Sequence, residues 1–314
     1  MTIPPRQIRG FLGKTIMHTK FDIAIASVIG SEHIRTGKNN QDAMFVVQGN
    51  NFLCGCVSDG CGSCPRSELG AVITTRLVTK HVPLCIAGAT INEVQSRLSM
   101  AKDMILTDMR DISLTLSESQ FNPTSGMDVG AFDMMPGLAS FDGTMISTML
   151  ATAFGFYACD DFVAVFHIGD GYYAFNGQLV QVDAEDKANN APAYTVYGLM
   201  PEVASTMAPG ALDFSVKIVP MDQFERLMIA TDGVRFFSKF SELQIPGKTR
   251  KVGGIEQLWD DKVFTNPYTL QRTLGLLNRD VNMPDWPSET MLTRYSILKD
   301  DTTVISIRRK NEDD

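Results

Sequence analysis

The sequence predicts a strand-rich α/β chain folded as one domain, on three observations. Short apolar runs rich in Val, Ile and Phe recur along the chain, several alternating with polar residues as half-buried strands do. Among them stand a few stretches with apolar residues at helical spacing. No internal repeat and no clean linker divides the 314 residues, a length that by itself allows one large domain or two ordinary ones. The 44% hydrophobic and 20% charged content suits a globular protein with a sizeable core.

In chain order, residues 1–20 read as an irregular N-terminal arm, and a single domain then occupies residues 21–310. FDIAIASVIG, AMFVVQ and NFLCGCVSD are expected strands, the last two separated by the polar turn GNN. A helix is expected over residues 67–82, where Leu69, Val72, Ile73, Leu77 and Val78 cluster on a face. A second is expected over 91–109, with Thr90 as N-cap and Glu93 three residues on, the sequence form of a capping box. The Ser-, Met- and Gly-rich residues 117–140 read as a loop or insertion. Strands resume in TMISTMLATAFG, FVAVFHIGDG, YYAFNGQLVQV, DFSVKIVP and RLMIATDG, with Asn-Gly and other Gly-containing turns between several. Residues 183–210, rich in Ala, Pro and Asn without periodicity, read as an irregular flap. Helical patterns return at 236–243, 255–259 and 268–278, and TTVISIRR is the last strand before a charged tail.

Charge and hydropathy exclude several classes. A net charge of −8 argues against a nucleic-acid binder, which carries a basic face. The short basic runs at Arg66, 248–251 and 308–310 read as solvated surface. The N-terminal MTIPPRQIRGFLGKT lacks the apolar core of a secretory signal. The longest apolar stretch, residues 145–158, is ended by Asp160 and Asp161 before it reaches the roughly 18 residues of a membrane span. The expectation is a cytoplasmic chain with no membrane or nucleic-acid partner, its oligomeric state left open. Cys54, Cys56, Cys61 and Cys64 give a C-x-C then a C-x-x-C, but Cys54 and Cys56 share one face of a strand and an acidic turn intervenes. Buried or incidental thiols are expected over zinc or disulfides, with a redox-sensitive Cys61–Cys64 pair as the minor alternative.

Four acidic motifs carry the chemistry: NNQDA with Asp42, VSDGCGS with Asp59 and Gly60, IATDGV with Asp232, and KDDTTVISI with Asp300 and Asp301. Each sits at the edge of an apolar run, where a carboxylate is free to enter a cleft. Carboxylates converging from distant positions make a hard, oxygen-only site suited to Mg²⁺ or Mn²⁺. Two ions in such a site activate water and clamp a phosphoryl group. Taken singly, Asp59 and Asp232 are ordinary Asp-Gly turn residues, Asp42 caps a local turn, and Asp300 ends a strand with Asp301 equally eligible as a ligand.

Together with HIGDGYYAFNGQLV, these motifs run in one order over residues 23–308: GSEHIRTGKNNQDA, VSDGCGSCPRSELGA, HIGDGYYAFNGQLV, LMIATDGV and KDDTTVISI. In this the chain resembles the type-2C metal-dependent serine/threonine protein phosphatases, in particular a bacterial branch with Gln-Asp in the first motif. The resemblance implies an α+β fold, a four-layer α-β-β-α sandwich of two antiparallel sheets flanked by helices, with the metals at one end. It implies that Asp42 and Asp59 serve a two-metal centre with Asp59 bridging. The Gly60 carbonyl would bind one ion, and Asp232 and Asp300, the latter favoured over Asp301, would complete the other. It also implies Mn²⁺ or Mg²⁺ as cofactor, a water nucleophile, and a phosphoserine or phosphothreonine protein substrate in opposition to a Ser/Thr kinase. The alternative is a catalytically weak or inactive relative kept as a regulatory binding module.

Departures from the pattern shape further expectations. Gln41 stands where Glu is common, and Cys61 where some relatives place a His. His33 is the candidate replacement acid, against a structural role. Arg35 lies seven residues before Asp42 rather than five and is the candidate phosphate contact, against surface exposure. Asp142 or Ser140 occupies the neighbourhood of a third-metal ligand, while Phe236 replaces a carboxylate. The expectation is two firm ions and a weak or absent third. Asp170, in the Gly-Asp-Gly turn, is expected to hold a hairpin near the site. Substrate choice would fall to residues 183–210 and 117–140. The chain has no G-x-x-x-x-G-K-[ST] loop, which removes the usual nucleotide-binding argument.

Overall fold

The computed structural model describes residues 20–64, 66–118, 148–182, 192–266 and 268–310. Nearly all of the expected arm, most of the 117–140 insertion, Ser140 and Asp142, and the first part of the expected flap lie outside those residues.

Strands β1 (Phe21–Val28), β2 (Asp42–Gln48) and β3 (Phe52–Asp59) open the chain, with a short helix α1 (Ser31–Thr36) between the first two. Helices α2 (Ser67–Ile86) and α3 (Val94–Glu118) follow. Next come β4 (Ala153–Cys159), β5 (Phe162–Ile168), β6 (Gly171–Phe175) and β7 (Gln178–Val182). A short helix α4 (Pro201–Ala204) leads to β8 (Ser215–Pro220) and β9 (Arg226–Ala230). The last third holds α5 (Arg235–Phe240), α6 (Asp261–Thr265), α7 (Thr269–Leu277), β10 (Val281–Asp285), β11 (Thr290–Arg294) and β12 (Thr302–Arg309).

Two five-stranded sheets form, ordered β1-β12-β9-β6-β7 and β2-β3-β4-β5-β8, with every pairing antiparallel. The period-2 alternation of the strands explains their stacking. Leu53 and Val57 of β3, Phe154 and Phe156 of β4, Val163 and Val165 of β5, Leu227 and Ile229 of β9, and Ile305 and Ile307 of β12 point between the sheets. The intervening residues point outward to helices. Cys54, Cys56, Tyr157 and Phe166 pack with Val78, Val82, Leu98 and Ile105 of α2 and α3. Ala24, Ala26, Met228 and Val304 pack with Phe237, Leu270 and Leu274 of the C-terminal helices. The result is the α+β sandwich, helices on both outer faces of two antiparallel sheets, that the resemblance implies.

Several local signals hold as read. Thr90 and Glu93 close a capping box, the Glu93 carboxylate accepting from the Thr90 backbone N–H at 2.8 Å. Asn176 and Gly177, at φ 47° and 83°, make the tight turn between β6 and β7. Helix α2 runs to Ile86 with Pro83 inside it, and 67% of its most apolar window is buried. Among the described residues it is the one helix long and apolar enough to match a membrane span, and its burial marks it as a core helix.

Other readings are corrected. Of TMISTMLATAFG, residues 144–147 lie outside the described residues, and in the described remainder the strand begins at Ala153. The Gly-Asp-Gly turn at residues 169–171 is no hairpin: β5 and β6 lie in different sheets, and the turn crosses between them with Gly169 at φ 93° and Gly171 at φ 148°. In the described part of the expected flap, Ala193, Tyr194, Val196, Tyr197 and Met200 are buried in one cluster with residues of α2 and α3, while residues 201–210 are mostly exposed.

Candidate functional site

Antiparallel register sets Asp42, first in β2, directly opposite Asp59, last in β3. β9 and β12 of the other sheet end nearby, with Asp232 in the turn after β9 and Asp300 just before β12. Thr231 joins the two sheets here: its hydroxyl donates to Asp42 Oδ2 at 2.7 Å and accepts the Thr303 backbone N–H at 3.0 Å. Thr152, at the start of β4, fixes Asp59 through both its backbone N–H (to Asp59 O, 2.9 Å) and its hydroxyl (from Asp59 N–H, 3.0 Å).

Gly60 is required by close approach. A Cβ there would lie 2.7 Å from the Ser67 carbonyl oxygen and 2.8 Å from that of Gln41. Gln41 is buried and staples the following turn, its Nε2 donating to the Cys64 carbonyl at 2.6 Å and to the Ser67 hydroxyl at 2.8 Å. Its neutral amide serves as a donor to this turn, a role a carboxylate cannot fill.

Burial first, and then the repulsion of Asp301, hold Asp42 well above the usual carboxylate range. Asp59 is raised likewise, by burial and then by Asp42, Asp300, Asp170 and Asp301. Asp42 Oδ1 is buried without a hydrogen-bond partner. Arg235 pairs with Asp232, and its other terminal nitrogen donates to Asp300 Oδ2 at 2.9 Å. Among the described residues no three His, Cys, Asp or Glu side chains are already drawn around one point; the carboxylates line a shared region with a guanidinium between two of them. The set fits a hard divalent cation chemically, since it is all oxygen, short of positive charge, and includes an orphaned buried oxygen.

Asp300 and Asp301 separate cleanly. Asp301 is 4% exposed and accepts the backbone N–H of Gly30 at 2.6 Å, that of Gln41 at 2.5 Å and His33 Nδ1 at 2.9 Å. Asp300 is partly exposed and faces Asp232 through Arg235. His33 is a partner of this clasp, its pKa raised chiefly by the Asp301 hydrogen bond. Arg35, the expected phosphate contact, is engaged elsewhere: its guanidinium bonds both oxygens of Asp280 at 3.1 Å and lies 5.5 Å from the Tyr295 ring centroid. None of the described contacts joins it to Asp42, Asp59, Asp232 or Asp300. Phe236 is buried among the C-terminal helices and stacks on Phe240.

Sequence reasoning missed Thr231, Thr152, Arg235 and Tyr194. Tyr194 is buried, and burial, with the neighbouring Cys61 and Asp59, pushes its phenol up. Only Arg235 left a usable signal, its i,i+3 spacing from Asp232. All six cysteines are free, and Cys54 and Cys56 share the helix-facing side of β3 as expected.

The family model for protein phosphatase 2C matches residues 29–260. No curated protein sequence matches. Among solved structures the chain is similar to a bacterial serine phosphatase (13% identity, 92% of this chain and 98% of that one, TM-score 0.49). It is also similar to the serine/threonine phosphatase Stp1 from Staphylococcus aureus (12%, 95% and 99%, 0.47). A third is the catalytic domain of the serine threonine protein phosphatase PstP in complex with 2 manganese ions (13%, 92% and 97%, 0.46).

Proposed function

The chain belongs to the protein phosphatase 2C family, and from that premise we propose that it hydrolyses phosphoserine and phosphothreonine in proteins, with two Mn²⁺ or Mg²⁺ ions held by Asp42, Asp59, Gly60, Asp232 and Asp300. The observation that carries this reading is the Asp42–Asp59 pair. Two buried or half-buried carboxylates face each other across one register position, a third and fourth approach from the other sheet, and Asp42 Oδ1 has no partner. Such repulsion is costly to retain unless a cation offsets it.

When bound, divalent ions supply charge that draws in a phosphoryl group and lower the pKa of water to a usable range. The chain's residues do the rest. Thr231 turns Asp42 toward the seam between the sheets, and Thr152 with the β3 register fixes Asp59. Gln41 and Ser67 hold the turn after Gly60 in place. Tyr194 and Cys61 are buried beside Gly60 and Asp59. Asp301 holds Gly30, His33 and Gln41 and so positions Asp42 through the chain. The substrates are the products of Ser/Thr kinases.

The test is turnover of a phosphothreonine peptide with and without Mn²⁺ or Mg²⁺, with Asp59→Asn as control. Turnover that needs metal, and that falls in Asp59→Asn by more than the ~10–100-fold typical of losing a ligand's supporting partner, is the expected result. Equal turnover in wild type and variant would reject the site.

A further inference from the structure

The carboxylate cluster is lopsided in charge. At one end Arg235 pairs with Asp232 and donates to Asp300 Oδ2 at 2.9 Å, its Cζ lying 5.1 Å from the Phe236 ring centroid. This placement follows from the backbone: the turn Asp232–Val234 runs straight into α5, whose first residue is Arg235, so the two side chains project to one side at i,i+3. At the other end, among the described residues, no ion pair reaches Asp42 or Asp59: Asp42 accepts the Thr231 hydroxyl, and both feel the charges of further carboxylates.

We infer that Arg235 is a built-in counter-ion that competes with a divalent cation for Asp232 and Asp300, so that this half of the centre is loaded only when the guanidinium lets go. The inference rests on the metal-centre reading proposed above. A guanidinium and a dication cannot both lie against the same oxygens without strong mutual repulsion. Asp300 and Arg235 are each 40% exposed, so the pair is open enough to exchange. The fork that spans two carboxylates is an arginine property, since a lysine offers a single point charge. The two halves of the centre therefore fill unequally: among the described residues the Asp42–Asp59 side has no resident cation to expel, and the Asp232–Asp300 side has one.

The experiment is calorimetric titration of metal-free protein with Mn²⁺, on wild type, Arg235→Ala and Arg235→Lys, with thermal unfolding of each in chelator and in Mn²⁺. Arg235→Ala should tighten the weaker Mn²⁺ step roughly tenfold, as expected for removing two partly exposed ion pairs from the competition. It should lower the melting temperature in chelator and enlarge the rise that Mn²⁺ produces. Arg235→Lys should fall between the two, and it decides the matter should the alanine variant not fold. Wild-type Mn²⁺ affinity, or weaker, in both variants would overturn the inference while leaving the metal centre standing. No Mn²⁺ binding by any of the three would overturn the metal-centre reading, and the inference with it.

Discussion

Asp300 and Asp301 are adjacent carboxylates with opposite fates, and the difference lies in their partners. Asp301 is consumed by three donors drawn from residues 30, 33 and 41, so it ties the start of the domain to its last strand. Replacing it with Ala leaves two buried backbone N–H groups without acceptors and should cost about 3–5 kcal/mol. Asp300→Asn removes a half-exposed charge from a repelling cluster and should leave stability within about 1 kcal/mol of wild type while weakening Mn²⁺ binding. Urea denaturation with calorimetry separates the two, and an equal loss of stability in both would reject the division of roles. The pattern D-D-T-T could not reveal this, because both residues are eligible until the α1 loop and Gln41 are brought in from more than 250 positions away.

Elements were legible where one face meets a core. The strands that line the space between the sheets alternate cleanly, and α2 and α3 carry apolar faces against Tyr157 and Phe166. Where no face is buried, the signal disappears. β10 and β11 are exposed almost throughout and contain Pro284, and α1 buries only Ser31, so neither was foreseen. The burial within residues 193–200 left no signal for the converse reason: it comes from single turns with no period to detect. The capping box is the clearest local success. Thr90 and Glu93 satisfy each other at the head of the segment that becomes α3. Thr90→Ala should lower stability by about 1 kcal/mol with phosphatase turnover unchanged, because none of the described contacts of Thr90 reaches Asp42, Asp59, Asp232 or Asp300. A loss of turnover without a loss of stability would place α3 in the site.

At the scale of the whole molecule the proposed centre lies on the seam of the sandwich. Asp42 and Asp59 belong to one sheet, while Asp232 and Asp300 stand at strand ends of the other. In the metal-free chain the crowding of these carboxylates works against the seam, opposed across it by the Thr231–Asp42 hydrogen bond and offset within one sheet by Arg235. The apolar layer headed by Phe154, Phe156, Leu227 and Ile305 opposes it throughout. A ligand that binds only the folded state stabilises it by mass action, about 2.7 kcal/mol at a hundred times its dissociation constant. Mn²⁺ should therefore raise the melting temperature by about 5–10 °C at such a concentration. Asp59→Asn should do the reverse of a usual site mutation, raising the melting temperature in chelator because one repelling charge is gone. It should also abolish most of the Mn²⁺-induced rise, and Asp232→Asn should abolish part of it. The two sheets would then be joined by the same groups that serve the chemistry. An undiminished rise in both variants would mean that the ions bind away from the seam and that its carboxylates have another purpose.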